Sequence, residues 1–209
     1  MAQSVGAPAR HLGARVGRPT TGDHADGSDV AATFAPRVRP TETRSTPVAD
    51  VALRPIDDSD LDALFDQMRD PESVQMAAFT PENPDDREAF DTHMSTVRAS
   101  PDVTMRAVTL DGHLAGTIAS FVFEGVTEVT YWIDRSVWGQ GVASAALALF
   151  LDTVPVRPLY ARAASDNVGS LGVLRKAGFT AIRTEISYAR ARDADIEEIV
   201  LRLGEAPRT

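Results

Sequence analysis

Apolar and polar positions follow two rhythms along this chain, and the switches between them mark its elements. Alternation with period two, rich in β-branched and aromatic residues, predicts strands at VALRPI (51–56), VTMRAVTL (103–110), HLAGTIASFVF (113–123), VTEVTYWI (126–133), PLYARAA (158–164), FTAIRTEISYA (179–189) and IEEIVLRL (196–203). Helical spacing of Leu61, Leu64, Phe65 and Met68 predicts a helix over Ser59–Met68, with Ser59 as cap and Asp70-Pro71 as its end. Phe90, Met94 and Val97 predict a second, from Pro84 or Asp85 to Arg98. A third follows Gly139-Gln140-Gly141 to about Asp152, and a fourth covers Val168–Ala177.

The connections set the topology. Asp111-Gly112 is a hairpin signal, and Glu124-Gly125 joins the next strand, so three strands form an antiparallel meander. The strand–helix–strand unit around the Gly-Gln-Gly turn makes two strands parallel. The expectation is an α+β (α/β) fold: a mixed, mostly antiparallel sheet of six to seven strands with one parallel pair, flanked by about four helices.

Residues 1–47 carry Gly, Ala, Pro, Arg, Thr and Asp with neither rhythm, which predicts a disordered tail, its Arg10, Arg15 and Arg18 included. One domain over 48–205 and a short tail at 206–209 complete the expected organisation.

Composition narrows the chemistry. The 209 residues, 43% hydrophobic, suffice for one good core. There is no cysteine and only four scattered histidines, which excludes disulfides, thiolate nucleophiles and cysteine-based metal sites; no metal is expected. A formal charge of -9 weighs against nucleic acid and anionic membrane surfaces as partners and favours a cationic one. The longest apolar run, Ala143–Leu151 interrupted by Ser144, is far shorter than the ~20 residues of a spanning helix, and no signal-peptide core opens the chain, so a cytoplasmic protein is expected.

Gly139 and Gly141 stand between a strand and a helix, where free amides of the first helical turn cradle anions, although an ordinary turn before a core helix reads the same way. A dinucleotide fingerprint fails, because five residues separate the turn from the strand and Ser144 replaces the third glycine. A nucleotide-binding P-loop fails too, since Val142 and Ala143 follow where Lys and Ser or Thr are required. Small residues, Ala143 to Ala146, leave room beside the turn. A second motif, SDNVGSLGVLRKAGF (165–179), has Asp166 or Asn167 as helix cap, Val168, Leu171 and Leu174 as a buried stripe and Gly178 as the stop.

Together, WGQGVASAAL and DNxxSxxVLRKAGF, in this order with a strand between them, resemble the GNAT acetyltransferase superfamily, and within it the branch of ribosomal-protein N-terminal (alanine) acetyltransferases, over roughly Val51 to Leu203. The resemblance implies acetyl-coenzyme A as co-substrate. Its pyrophosphate would meet the turn and its amides at Trp138, Gly139, Gln140, Gly141, Val142, Ala143 and Ser144, its pantetheine would pair with Ile133, and Lys176 would approach its phosphates. It further implies that Asn167 and Ser170 approach the sulfur, and at the family level a homodimer. Trp138 departs from the Gln or Arg of the family pattern, and Leu174 stands where many members carry a catalytic tyrosine.

Acetyl transfer to an amine of pKa ~10.4 needs a proton acceptor. Glu128, in alternation with Thr130 and Trp132 on one strand face, is the candidate base, directly or through water; the competing reading is a solvent-facing or cross-strand-paired carboxylate. Asp134, His93 and Glu72 are weaker candidates, and Tyr131 and Trp132 read as core and cleft wall. The leaving thiolate, of pKa ~8.5, needs only a hydrogen bond, which Ser170 can donate. With no covalent nucleophile expected, the reading is direct transfer, in a ternary complex, to a primary amine of a protein N-terminus or a small molecule. The acidic stretches DPES and PENPDDRE suit a cationic acceptor. A silent acyl-coenzyme A binding module is the alternative.

Overall fold

The computed structural model describes residues 50–204 of the chain; the expected tails, 1–47 and 206–209, lie outside the described residues. Seven strands form one sheet in the order β1-β2-β3-β4-β5-β7-β6. They are β1 (Val51–Arg54), β2 (Thr104–Leu110), β3 (His113–Phe123), β4 (Val126–Ile133), β5 (Leu159–Ala164), β6 (Thr180–Ala189) and β7 (Ala194–Leu203). Among the described residues only β4 and β5 run parallel; every other pairing is antiparallel. The meander and the single parallel pair are as the pattern predicts.

Among the described residues five α-helices flank the sheet: α1 (Leu61–Met68), α2 (Pro71–Ala77), α3 (Arg87–Ala99), α4 (Val142–Thr153) and α5 (Val168–Lys176). The second of these is absent from the pattern-based reading, which took Asp70-Pro71 as a stop. The same residues open α2: the Asp70 carboxylate accepts the Ser73 amide at 2.9 Å, and Pro71 occupies the first helical position, where its missing N–H costs nothing. Among the described residues no helix is long and apolar enough to cross a membrane.

Strand alternation divides the core between the two sheet faces. On one, Val108, Ile118, Val129, Ala161 and Leu201 pack against Val142, Leu147 and Phe150 of α4 and Leu171 and Leu174 of α5. Phe150 and Leu147 are fully buried, each worth roughly 1.5–3 kcal/mol against solvent exposure. On the other face, Ala107 meets Leu64 of α1 and Met94 of α3. Asp60 anchors this layer by a two-pronged bond to Arg54, at 2.6 and 2.7 Å, while it also accepts the Asp57 amide at 2.9 Å.

Candidate active site

The sheet forks at its centre. Strands β4 and β5 pair only at Thr127↔Leu159 and Glu128↔Tyr160. Beyond that point β4 continues to Ile133 against β3, and β5 continues to Ala164 against β7. From Val129 onward the β4 edge facing β5 therefore has no strand partner among the described residues. A cavity of about 50 Å³ lies in the fork. Val129, Tyr131, Ser170 and Leu174 line it from the α4–α5 side, Thr130 and Arg162 from the opposite face, so it passes through the sheet.

Beyond the end of β4 the chain makes a 3-10 turn at Arg135–Val137, capped by Asp134, and then reverses at Gly139 and Gly141, with φ of 74° and 81°. These left-handed angles are the reason for glycine at both positions. Gly141 is the N-cap of α4, and no side chain caps the helix. The Ala145 amide is the first to bond back, to the Gly141 carbonyl at 3.0 Å, which leaves the amides of Val142, Ala143 and Ser144 outside the helical ladder. Gln140 and Gly141 are exposed, Ala143 and Ser144 half-buried, and Val142 buried. The Trp138 indole N–H donates to the Ile133 carbonyl at 2.8 Å and so ties the turn to the end of β4, while the Gln140 side chain donates to the Ser136 carbonyl at 3.3 Å.

A close approach fixes this end of β4. Gly116 of β3 lies opposite Ile133, and a Cβ on it would stand 2.0 Å from the Trp132 carbonyl oxygen. On the far face the Trp132 indole N–H donates to the Gln67 carbonyl of α1 at 3.1 Å.

Helix α5 enters the fork by its N-terminus. The Ser170 amide donates to Asn167 Oδ1 at 3.0 Å, so Asn167 is the cap; its amide nitrogen also donates to the Met76 carbonyl of α2 at 3.3 Å. Ser170 Oγ lies 2.8 Å from the Tyr131 hydroxyl. Burial pushes the Tyr131 pKa up to about 12, against the opposing effect of the Ser170 bond, so the phenol stays protonated at neutral pH. Leu174 lines the same cavity, and Tyr131 thus brings from β4 a phenol beside the position where Leu174 has none. Lys176 stands exposed at the far, C-terminal end of α5.

Glu128 is 6% exposed and bonded across the strands, its Oε1 accepting from Arg162 Nε at 2.9 Å. Of the two readings of this residue, the geometry matches the cross-strand pair. Arg162 Nη1 also donates to Glu185 Oε2 at 2.8 Å and lies 3.5 Å from Glu198 Oε2, which in turn accepts from the Ser187 hydroxyl at 2.9 Å. Burial alone would lower the Arg162 pKa; its bonds to Glu128 and Glu185 outweigh that and raise it. Glu198 is pushed up by burial, only partly offset by Ser187 and Arg162. The cluster spans β4, β5, β7 and β6 on the face away from α4. Asp134 is engaged as a cap, Glu72 pairs with Arg135 at 3.1 Å, and His93 is exposed on α3; none of the three lines the cavity.

A forked sheet with an uncapped, glycine-opened helix beside it can be compared with known proteins. The family model for the acetyltransferase (GNAT) domain matches residues 50–180. The chain belongs to this family. As a GNAT acetyltransferase it also resembles solved structures. RimJ of Mycobacterium smegmatis, in complex with CoA-disulfide, is 22% identical with a TM-score of 0.66 over 78% of this chain and 87% of that one. The ribosomal-protein-alanine N-acetyltransferase of Brucella melitensis is 18% identical with a TM-score of 0.63 over 73% and 98%. The spermidine N-acetyltransferase of Vibrio cholerae, in complex with CoA and spermine, is 14% identical with a TM-score of 0.61 over 73% and 95%. At such identities the likeness carries the GNAT fold and nothing finer. No curated protein matches by sequence.

Tyr131 is the residue of this GNAT site that the sequence reading assigned only to the wall. The signal was present: alternation puts Tyr131 on the strand face opposite Glu128, the face on which α5 packs.

Proposed function

We propose that this GNAT protein transfers the acetyl group of acetyl-coenzyme A directly to a primary amine, of a protein N-terminus or a small molecule, within a ternary complex. The observation that carries the reading is the fork: an unpartnered β4 edge, free amides of α4 at one end and a hydroxyl pair at its base. Pantetheine amides match the β4 edge near Ile133, as an added strand would. The pyrophosphate matches the turn from Trp138 to Ser144, where amides and the positive end of α4 converge.

In this reading the amine arrives from the face that carries Arg162, and the thioester from the side of α5. Attack by the neutral amine forms a C–N bond at the acetyl carbon, and collapse breaks the C–S bond. Ser170, oriented by Tyr131, donates a hydrogen bond to the departing sulfur, while Asn167 holds the first turn of α5 in place. The proton lost by the amine passes to the carboxylates around Arg162. Glu128 contributes through water, because its side chain is nearly enclosed and already bonded to the guanidinium. Three carboxylates around Arg162, with Arg183 paired to Glu185 as well, leave the cluster one negative charge in excess when all are ionised, which suits a cationic acceptor.

The test is a thiol-release assay with the full chain, acetyl-coenzyme A and a panel of amines and N-terminal peptides, paired with calorimetric titration of the coenzyme. The proposal expects micromolar coenzyme binding that Gly141→Trp abolishes, and thiol release that depends on an amine. Binding without release over the whole panel would favour the silent binding module, and absence of binding would overturn both.

A further inference from the structure

Helix α2 is tied at its two ends to the two arms of the fork. At its start, Asp70 and Glu72 accept from Arg135, in the turn that follows β4, at 3.0 and 3.1 Å. At its end, Arg192 Nε donates to the Gln75 carbonyl at 2.9 Å and Nη2 to the Met76 carbonyl at 3.4 Å. The remaining nitrogen, Nη1, donates at 2.6 Å to the carboxylate of Asp166, just past β5. Arg192 lies in the 3-10 turn Arg190–Arg192 between β6 and β7, and its side chain is only 14% exposed.

The end of α2 is held under strain. Ala78 takes φ 67° and ψ -48°, and the Phe79 amide closes on the Ala77 carbonyl at 2.8 Å, a γ-turn of the disfavoured hand. Such a conformation persists where its surroundings over-determine it. Here Ala78 is fully buried with Ala164 and Ala189, and its carbonyl accepts the Ala191 amide at 3.2 Å. Ala164 follows Arg162 by two residues and so shares its strand face. Helix α2 therefore crosses the open end of the fork on the face that carries the carboxylate cluster.

We propose that Arg192 is a positioning residue for acetyl transfer: it holds α2 as a strap across the open end of the fork and, through Asp166, keeps the first turn of α5, with Ser170, at a fixed distance from β4. The inference rests on the acetyl-transfer reading of this site. A guanidinium suits the task, because its planar fan of donors meets two carbonyls of α2 and one carboxylate before α5, which an ammonium cannot reproduce. With the strap released, the arms beyond Glu128 lose a brace and the amine's entry beside Arg162 loses a wall. Among the described residues no hydrogen bond links Arg192 to the turn at Gly139–Gly141, so coenzyme binding is separable from its role.

The experiment compares the full-length native chain with Arg192→Ala and Arg192→Lys, well below their melting temperatures, in the amine-dependent thiol-release assay. Arg192→Ala should lower kcat by roughly tenfold or more and raise the amine KM, with the coenzyme Kd within a factor of about two of native. Arg192→Lys should recover the melting temperature more fully than it recovers kcat. An arginine that served stability alone would change the melting temperature and leave both kinetic constants of the folded enzyme unmoved. Amide exchange in α2 should quicken in Arg192→Ala while that in α4 does not. If Arg192→Ala fails to fold, Asp166→Ala, at a carboxylate 63% exposed, removes the same link to α5 and should lower kcat by about fivefold. A kcat and amine KM within about twofold of native in the folded variant, or unaltered exchange in α2, would overturn the positioning role alone. A native chain that binds the coenzyme and releases no thiol with any amine would overturn the transfer reading, and the positioning role would fall with it.

Discussion

The Tyr131 hydroxyl and Ser170 Oγ meet at 2.8 Å across the fork, one from the sheet and one from the first turn of α5. Tyr131 also reaches the Ser170 carbonyl at 3.2 Å, so a single phenol sets the orientation of the serine. Tyr131→Phe should lower the rate of acetyl transfer about tenfold and leave coenzyme affinity within a factor of about two, with about 1 kcal/mol of stability lost. Steady-state kinetics and denaturant unfolding of the variant check both numbers. An unchanged rate would remove Ser170 orientation from the mechanism.

The same residue predicts an alkaline limit. Its pKa is raised from 10.0 to about 12 in the folded chain, so folding holds the proton more tightly than the unfolded state does. The stability this contributes is fully present below pH 10 and is lost as pH rises through the folded value, by an amount of order 2 kcal/mol. Unfolding free energies measured from pH 9 to 12 should fall more steeply for the native chain than for Tyr131→Phe.

Arg162 holds three carboxylates that are themselves buried or nearly so. Removing it in Arg162→Ala leaves the buried Glu128 without its ion-pair partner and Glu185 and Glu198 with only Arg183 and the Ser187 hydroxyl, at a cost of about 3–5 kcal/mol. The remaining carboxylates then bind protons more readily in the folded state than in the unfolded one, so the deficit should shrink as pH falls from 7 to 5. Denaturant midpoints across that range test the sign, and a deficit independent of pH would show that lost packing dominates.

Asp60 shows the opposite sign. The hydrogen bonds from Arg54 hold its pKa below the usual 3.8, against the opposing effect of burial. Its contribution is present above the unfolded value and lost as pH falls through the folded one. Asp60→Asn should cost about 2 kcal/mol at pH 7 and progressively less as pH falls below 3.8, measured by urea unfolding across that range.

Two glycines near the turn should separate strain from collision. At Gly141 an added Cβ meets nothing within 4 Å, so Gly141→Ala costs only the left-handed backbone, about 1 kcal/mol, and weakens coenzyme binding modestly. At Gly116 the added Cβ would collide with the Trp132 carbonyl, so Gly116→Ala should cost about 3 kcal/mol or more and displace the end of β4. Thermal melts of the pair, with coenzyme titration of whichever folds, distinguish the two effects.

Strands were read well from the sequence because most are bounded by strong punctuation: β3 and β4 begin after Asp111-Gly112 and Glu124-Gly125 and match the pattern residue for residue. Helix α2 was not, because Asp70-Pro71 ends one helix and begins the next, and seven residues give too few turns for periodicity to show. In the site, Gly141 and Asn167 could be placed because turn and cap chemistry is local. The partners of Glu128 could not, because Arg162, Glu185 and Glu198 lie on three other strands, and their meeting depends on the β5-β7-β6 order that no local signal encodes. Tyr131 falls between these cases: its face was legible, but its contact with Ser170 spans 39 positions of sequence.

The fork has a mechanical side. Past Glu128 the sheet is two half-sheets, joined edge to edge by two residue pairs and otherwise through helices and loops. A thioester laid along the β4 edge would act as a splint across that joint, so a bound coenzyme adds stiffness where the chain supplies least of its own. Were it to bind there, the joint would be stiffest in the complex and loosest in the free chain.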